Sequence, residues 1–218
     1  MAIKHHPDDA TLMSYAAGSI PEALGAVVAT HLSLCQHCRN EVRAMERLGA
    51  TLMDGLRPVS VTHPAPKGVG DTTGVPANIA VRTAACPPGA GELPAPLSKF
   101  VGPNARNIAW KRLGFGVWHY LLPLSKDAKG DLRLLKVGPG QAMPVHGHGG
   151  SELTLILEGC YRDEIGEYFP GDVSDLDDEV VHRPMADREL GCICLIASDE
   201  KAKFKGLLAR MIQPLVGL

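Results

Sequence analysis

Apolar residues recur at helical spacing through the first quarter of the chain, and this pattern predicts three helices. A short first stripe ends at Gly18. The sequence SIPE at 19–22 matches a capping box with proline in the first turn, so a second helix is expected to begin there. A third amphipathic helix is predicted from about Asn40 to Leu56. The positions that share one face of the second helix are Leu24, Val27, Val28, His31 and Cys35.

The pattern changes in a segment rich in Pro, Gly, Thr and Ala. This segment, residues 58–96, is predicted to be a linker with one short helix at 78–85. Beyond it, runs of branched, aromatic and other apolar residues alternate with turn signals, which is typical of short strands. The clearest runs are Phe115–Leu122, Leu132–Val137, Leu153–Leu157 and Cys192–Ile196. The predicted fold class is therefore an α + β two-domain protein, with a small helical bundle at 1–57 and an antiparallel β sandwich or barrel at 97–218.

Composition and charge exclude several classes of protein. The formal net charge is −2, so no basic surface for nucleic acid is indicated. The chain begins with a polar segment, and no apolar run approaches the roughly 20 residues of a membrane-spanning helix. We expect a cytoplasmic protein with no membrane partner. Its six cysteines are then expected to be metal ligands, redox thiols or core residues rather than a disulfide framework.

A cluster of metal-binding residue types lies near the N-terminus. On one continuous helix, His31, Cys35 and Cys38 would lie at i, i+4 and i+7, and so on one face. Two thiolates and one imidazole are three of the four ligands that structural zinc prefers. The alternative interpretation is a metal-free core of two cysteines and one hydrogen-bonded histidine. The candidates for a fourth ligand are His6, which is preferred, and the alternatives His5 and His37.

The first 57 residues resemble the zinc-binding anti-sigma domain. The resemblance rests on an N-terminal histidine, on the motif Leu-x2-Tyr-Ala-x-Gly at 12–18, and on His-x3-Cys-x2-Cys at 31–38. It implies that a zinc ion stabilises a bundle too small to bury a large core of its own. The zinc ligands that the resemblance implies are His6, His31, Cys35 and Cys38.

A second cluster follows the pattern G-x5-H-x-H-x3-E-x6-G across residues 140–159. On a strand, His146 and His148 would project from the same face. Glu152 would begin the next strand, after a glycine turn, and would point at the same centre. The pattern resembles the first motif of the cupin fold at every spaced position. His182 would complete a site of three histidines and one glutamate.

This ligand set suits a divalent transition metal, and zinc, iron, manganese, nickel and copper all stay open. The second cupin motif fits less well than the first. Its counterpart, the Pro170–Gly171 turn, lies well before His182, and the acidic stretch Asp175–Glu179 intervenes. The alternative is a metal-free cupin in which these side chains hydrogen-bond to one another.

Two further features lie close to the second cluster. Cys192 and Cys194 would share one face of a strand, either as small core residues or as thiols that sense oxidants near the metal. The charged residues at 161–164 follow the cupin motif and are expected to form a solvated face.

The order of the two regions resembles that of ChrR-type anti-sigma factors, in which the zinc domain precedes a cupin. The resemblance implies a non-enzymatic protein that sequesters an extracytoplasmic-function sigma factor and releases it under singlet oxygen or related stress. One departure concerns residues 64–96, where such domains usually carry a fourth amphipathic helix and this chain is rich in Pro and Gly. Two alternatives are therefore kept: a metal-dependent, dioxygenase-like cupin enzyme, and a cupin regulator with a different partner.

Overall fold

The computed structural model describes residues 2–59, 92–102, 104–199 and 203–204. The predicted helix at 78–85 lies outside the described residues. No described helix is long and apolar enough to cross a membrane. The three predicted N-terminal helices are present, and a further helix begins at the end of the predicted linker and continues into the predicted cupin region. The helices are α1 (Asp9–Ala16), α2 (Glu22–Leu34), α3 (Gln36–Asp54) and α4 (Ala95–Val101), with a 3-10 turn at Ala105–Asn107.

The first two helices begin with different caps. The Asp8 side chain accepts the N–H of Thr11 at 2.6 Å and caps α1. The capping box predicted for α2 is not formed, because Pro21 occupies the N-cap position and makes no side-chain hydrogen bond. The hydroxyl of Ser19 donates to Ser14 O instead.

A break between α2 and α3 corrects the prediction that the N-terminal cluster lies on one continuous helix. α2 ends at Cys35, whose backbone is extended with φ −105° and ψ 111°. The Sγ atom of Cys35 accepts the N–H of Cys38 at 3.5 Å and caps α3. α3 therefore begins at Gln36, earlier than the predicted start near Asn40. His31 and Cys38 thus belong to two different helices, on either side of Cys35.

The strands form three antiparallel sheets. The largest sheet has six strands in the order β1-β2-β3-β11-β5-β8, and two three-stranded sheets have the orders β10-β6-β7 and β12-β4-β9. The four predicted strand runs overlap β2, β3, β5 and β11, so the predicted fold class is confirmed. The strands are β1 (Lys111–Gly114), β2 (Val117–Leu121), β3 (Asp131–Val137), β4 (His146–Gly147), β5 (Glu152–Gly159), β6 (Tyr161–Arg162), β7 (Glu167–Tyr168), β8 (Val173–Leu176), β9 (Val181–His182), β10 (Met185–Ala186), β11 (Cys192–Ser198) and β12 (Lys203–Phe204).

The two faces of the six-stranded sheet have different neighbours. Because successive side chains of a strand point to opposite faces, β11 sends Cys192 and Cys194 to one face and Leu195 and Ala197 to the other. The first face borders an internal cavity. The second face packs against α2 and shares one hydrophobic core with it. The helices and the sheet are therefore joined by buried apolar contact.

Two candidate metal centres

The four residues that the anti-sigma resemblance implied as ligands lie together in the N-terminal region. One ligand atom from each of His6, His31, Cys35 and Cys38 lies within 4.8 Å of all the others. A tetrahedral zinc with Zn–S of about 2.3 Å and Zn–N of about 2.0–2.1 Å places its ligand atoms roughly 3.3–3.8 Å apart. The Nδ1 atom of His6 lies 3.5 Å from Cys35 Sγ and 3.3 Å from Cys38 Sγ. These distances fit a tetrahedral centre with two thiolates and two imidazoles.

Four different parts of the chain supply these ligands. His31 is in the last turn of α2, Cys35 is the residue between α2 and α3, and Cys38 is in the first turn of α3. The Nε2 atom of His31 lies 3.2 Å from Cys38 Sγ. His6 arrives from the extended segment before α1. The break at Cys35 therefore sets the position of its own thiol relative to the other three side chains.

The two alternative histidines lie outside this group of four. The ring of His37 lies 5.0 Å from the ring of His6, measured between centroids. The ring of His5 lies 4.6 Å from that of Tyr168 in the β region. Of the three candidate histidines, the structure therefore places only His6 among the other ligand atoms.

Burial holds the N-terminal cluster in its neutral form when no metal is bound. Burial lowers the pKa of His31 to about 4, and it also lowers the pKa of His6, with a smaller effect from His37. Burial, followed by the charge and hydrogen bond of Cys35, raises the pKa of Cys38 to about 12. A thiol of this kind ionises readily only beside a cation. The electrostatics of the cluster therefore fit a bound divalent metal.

The predicted cupin ligands also lie together, and all four are buried. One ligand atom from each of His146, His148, Glu152 and His182 lies within 4.8 Å of the others. Glu152 is the first residue of β5, as the sequence predicted. β4 contains His146 but ends at Gly147, so His148 lies just after the strand and not on it, contrary to the prediction. β9 pairs with β4 so that His182 lies directly opposite His146. Strand pairing thus brings His182 to the cluster despite the irregular spacing of the second cupin motif.

Hydrogen bonds orient two of the cupin imidazoles. The Nδ1 atom of His182 donates to Asp163 Oδ2 at 2.8 Å, and that of His146 donates to Pro144 O at 2.8 Å. In each ring, Nε2 is then the nitrogen that can coordinate a metal. The Nε2 atoms of His182 and His148 are 3.2 Å apart. A shared metal ion or a hydrogen bond between the two rings accounts for this distance.

The charged residues at 161–164 were expected to form a solvated face, and this is correct for Arg162 and Glu164 but wrong for Asp163. Its side chain is fully buried against His182, and Tyr161 is 5% exposed. Burial opposes ionisation of Asp163, but the hydrogen bond from His182 lowers its pKa overall. In the local sequence Asp163 looks like a turn residue. The structure agrees, since Asp163 Oδ1 accepts the N–H groups of Ile165 and Gly166. Nothing in the sequence linked Asp163 to His182.

The charge of Glu152 is balanced by its neighbours. Its Oε2 atom lies 3.2 Å from His148 Nδ1. Burial by itself would raise the pKa of Glu152, but the contact with His148 and the other two imidazoles lower it below its ordinary value. A carboxylate that stays ionised while buried is suited to bind a cation.

A cavity of about 90 Å³ lies beside the cupin cluster. Cys192 and Cys194 are buried free thiols that line it, so they face the site as the sequence predicted for one strand face. A hydrogen bond with Cys192, and then burial, raises the pKa of Cys194, which disfavours the reactive thiolate. Arg133, which the sequence analysis did not single out, is buried beside the cavity and pairs with Asp131. Whether the two thiols sense oxidants stays a prediction.

Comparisons with known proteins agree with both regions. The ChrR cupin-like domain family matches residues 100–202. The anti-sigma-E factor ChrR of Cereibacter sphaeroides is 41% identical over 217 residues, which are 98% of this chain and 98% of that protein. A chain in the crystal structure of Rhodobacter sphaeroides SigE in complex with the anti-sigma ChrR superposes with a TM-score of 0.73 at 41% identity, over 91% of this chain and 100% of that chain. This chain therefore belongs to the ChrR family of anti-sigma factors.

Proposed function

We propose that this protein is an anti-sigma factor that sequesters an extracytoplasmic-function sigma factor through its helical region. The proposal is supported by the 41% identity to an anti-sigma-E factor along nearly the whole chain. It assigns residues 1–57 to sigma binding, 58–96 to a linker and 97–218 to the cupin. Because the partner acts on RNA polymerase, the protein would act in the cytoplasm.

The observation that carries the proposal is an exposed apolar row at the C-terminal end of α3. Leu48, Leu52, Met53 and Leu56 are 55%, 67%, 67% and 63% exposed. Leu48, Leu52 and Met53 lie in the last turns of α3, and Leu56 follows just after the helix ends at Asp54. Contiguous exposed apolar residues of this kind mark a protein-binding surface. We refer to these four residues as the α3 apolar row and propose that it contacts the sigma factor.

The N-terminal cluster is proposed to hold a structural zinc ion. The donor set of two thiols and two imidazoles is one that closed structural zinc sites use. Such an ion contributes folding energy and no chemistry. Here it would fasten the segment before α1 to the junction of α2 and α3, and so hold in place the base of the helix that carries the α3 apolar row.

The cupin is proposed to receive the signal that releases sigma, with singlet oxygen or a related oxidant as the expected signal. Its cluster would hold zinc or another divalent transition metal. Release requires a second state of the protein with lower affinity for sigma. Loss or oxidation at the cupin centre, or a small ligand in the adjacent cavity, would favour that state.

A metal-dependent cupin enzyme is the second candidate, favoured by the cavity beside three histidines and one glutamate. In an enzyme of this kind the metal would activate water or bind substrate in that cavity. The two functions make different demands on the chain. Sigma binding needs the α3 apolar row, whereas an enzyme needs the cupin ligands and is indifferent to that row.

The test is co-purification with the cognate sigma factor, with metal content measured on the same sample. We expect a one-to-one complex that carries zinc. Leu52→Glu should abolish the complex, because it places a charge within the α3 apolar row. Arg47→Gln is the matched control, since it changes the net charge by the same amount and Arg47 is also exposed, about 140° around the helix from Leu52 and at least about 100° from Leu48 and Met53. Metal in the cupin without any complex would favour the enzyme or another partner.

A further inference from the structure

The segment that precedes α1 lies against a turn of the cupin. Asp172, the last residue of this turn before β8, is 1% exposed. Its Oδ1 atom accepts the N–H of Lys4 at 2.7 Å and that of His5 at 3.1 Å. Its Oδ2 atom accepts the N–H of Phe169 at 2.9 Å, within the turn itself. One buried carboxylate therefore joins the two regions through two hydrogen bonds and is held in the turn by a third.

The same turn makes further contacts with the segment. The N–H of Val173 donates to His5 O at 3.1 Å. Gly171 has φ +96°, and a Cβ atom at this position would lie 2.7 Å from the Ile3 side chain. Glycine therefore lets the turn approach the segment closely. We refer to Phe169–Val173 as the clasp turn.

Both histidines of the N-terminal cluster depend on this turn. Lys4 and His5 directly precede His6, so the hydrogen bonds to Asp172 fix the backbone from which His6 projects. The Nδ1 atom of His31 donates to Gly171 O at 2.9 Å, which leaves Nε2 facing Cys38. Hydrogen bonds of this kind set the tautomer and orientation of a metal-binding histidine, and their loss typically lowers metal affinity about 10–100-fold.

We propose that the clasp turn of the cupin is the outer layer of the N-terminal metal site, and that Asp172 is a positioning residue for its ligand His6. This inference rests on the metal assignment made under the proposed function. The N-terminal site is then completed by a residue from the cupin, far away in sequence. Retention of the N-terminal metal therefore depends on the conformation of the cupin.

The clasp turn is also tied to the strand that begins with the cupin ligand Glu152. The N–H of Gly171 donates to Ile156 O at 2.9 Å, and the N–H of Ile156 donates to Asp172 O at 3.0 Å. Both bonds hold the turn on β5. A shift of β5 at the cupin centre would therefore move the groups that orient His6 and His31. This contact is a physical route by which a signal in the cupin reaches the helical region.

The test uses cobalt(II) in place of zinc in the full-length protein. Thiolate ligation gives cobalt a charge-transfer absorption, and of the two ligand clusters found among the described residues only the N-terminal one contains cysteine. Cobalt bound in the cupin contributes no such band, so the band reports the N-terminal site alone. Competition with a chelator then measures the affinity of that site. Total metal content of the same sample shows whether the cupin keeps its own ion.

We expect Asp172→Ala to lower the affinity of the N-terminal site about 10–100-fold while the cupin keeps its metal. Asp172→Asn keeps one acceptor oxygen and should fall between this variant and the wild type. Asp187→Ala is the matched control, because Asp187 accepts the N–H groups of Glu189 and Leu190 in a turn away from the cluster. Wild-type affinity in Asp172→Ala would overturn the inference.

A second pair of variants decides the matter if Asp172→Ala does not fold. Lys4→Pro removes the N–H that donates to Asp172 and leaves the sequence of the cupin region unchanged. Lys4→Ala keeps that N–H and serves as its control. Faster cobalt release from Lys4→Pro alone supports the inference, and equal release from both variants overturns it. A wild-type protein without a thiolate band would instead refute the metal assignment itself.

Discussion

Replacing Leu195 with alanine tests whether the helices and the cupin share one core. Leu195 is fully buried on the face of β11 that packs against α2, in a cluster with Val27 and Val28. The substitution removes three carbon atoms from this contact. At about 0.8 kcal/mol per buried CH₂ the transfer loss is about 2.4 kcal/mol, and the cavity left behind adds to it. We therefore expect a loss of roughly 3–4 kcal/mol in the free energy of unfolding.

The assay is urea unfolding of the full-length, metal-loaded protein, followed by far-UV circular dichroism at a helical and at a β wavelength. Because α2 and the sheet bury one another, the two signals should move together in both wild type and variant. Leu190→Ala is the control, since Leu190 is 77% exposed and its loss should change stability by less than about 0.5 kcal/mol. Separate helical and β transitions, with only the β transition shifted by Leu195→Ala, would refute the reasoning.

Two other predictions concern the metal centres. Asp163→Asn should weaken metal binding in the cupin about 10–100-fold and leave the N-terminal site unchanged, because only His182 loses its hydrogen-bond acceptor. Metal content after dialysis against a chelator checks this, with exposed Glu189→Gln as control, and equal loss from both sites would contradict it. In the metal-free protein, the pKa of His31 is about 4 when folded, against about 6.5 in the unfolded chain, so the unfolded state takes up the proton first as the pH falls. The free energy of unfolding of the metal-free protein should then decrease by roughly 3 kcal/mol between about pH 6.5 and pH 4. Urea unfolding of wild type and His31→Gln across this range checks the prediction. If stability falls equally steeply with pH in both proteins, His31 is not the cause.

Local patterns in the sequence were sufficient for most of the secondary structure. The amphipathic stripes predicted three N-terminal helices, and the four apolar runs predicted β2, β3, β5 and β11. These predictions succeeded because burial on one side of a helix or strand imposes its own period on the sequence. The predicted boundary between the second and third helices was less accurate. The break at Cys35 was missed because its cause, a thiol that caps α3, looks in sequence like one more position on a continuing helix.

The composition of each candidate site was also readable from residue type and spacing. Histidine, cysteine and glutamate at motif spacing pointed to two groups of four, and the structure brings both groups together. Predicting His6 and His182 as ligands required the family resemblance or their positions along the chain, because each belongs to a segment separate from the other ligands. Strand pairing brings His182 opposite His146, and no local pattern records that register.

The sequence by itself determined the three N-terminal helices, the main strands, the two sets of ligand types and the family. The tertiary structure alone decided which groups surround those ligands. Asp163 and Asp172 resemble ordinary turn residues in the sequence, yet one orients His182 and the other holds the segment that carries His6. The physical reason is that hydrogen bonds between distant segments leave no period in the sequence. They depend on how distant segments pack together, and that packing forms only when the whole chain has folded.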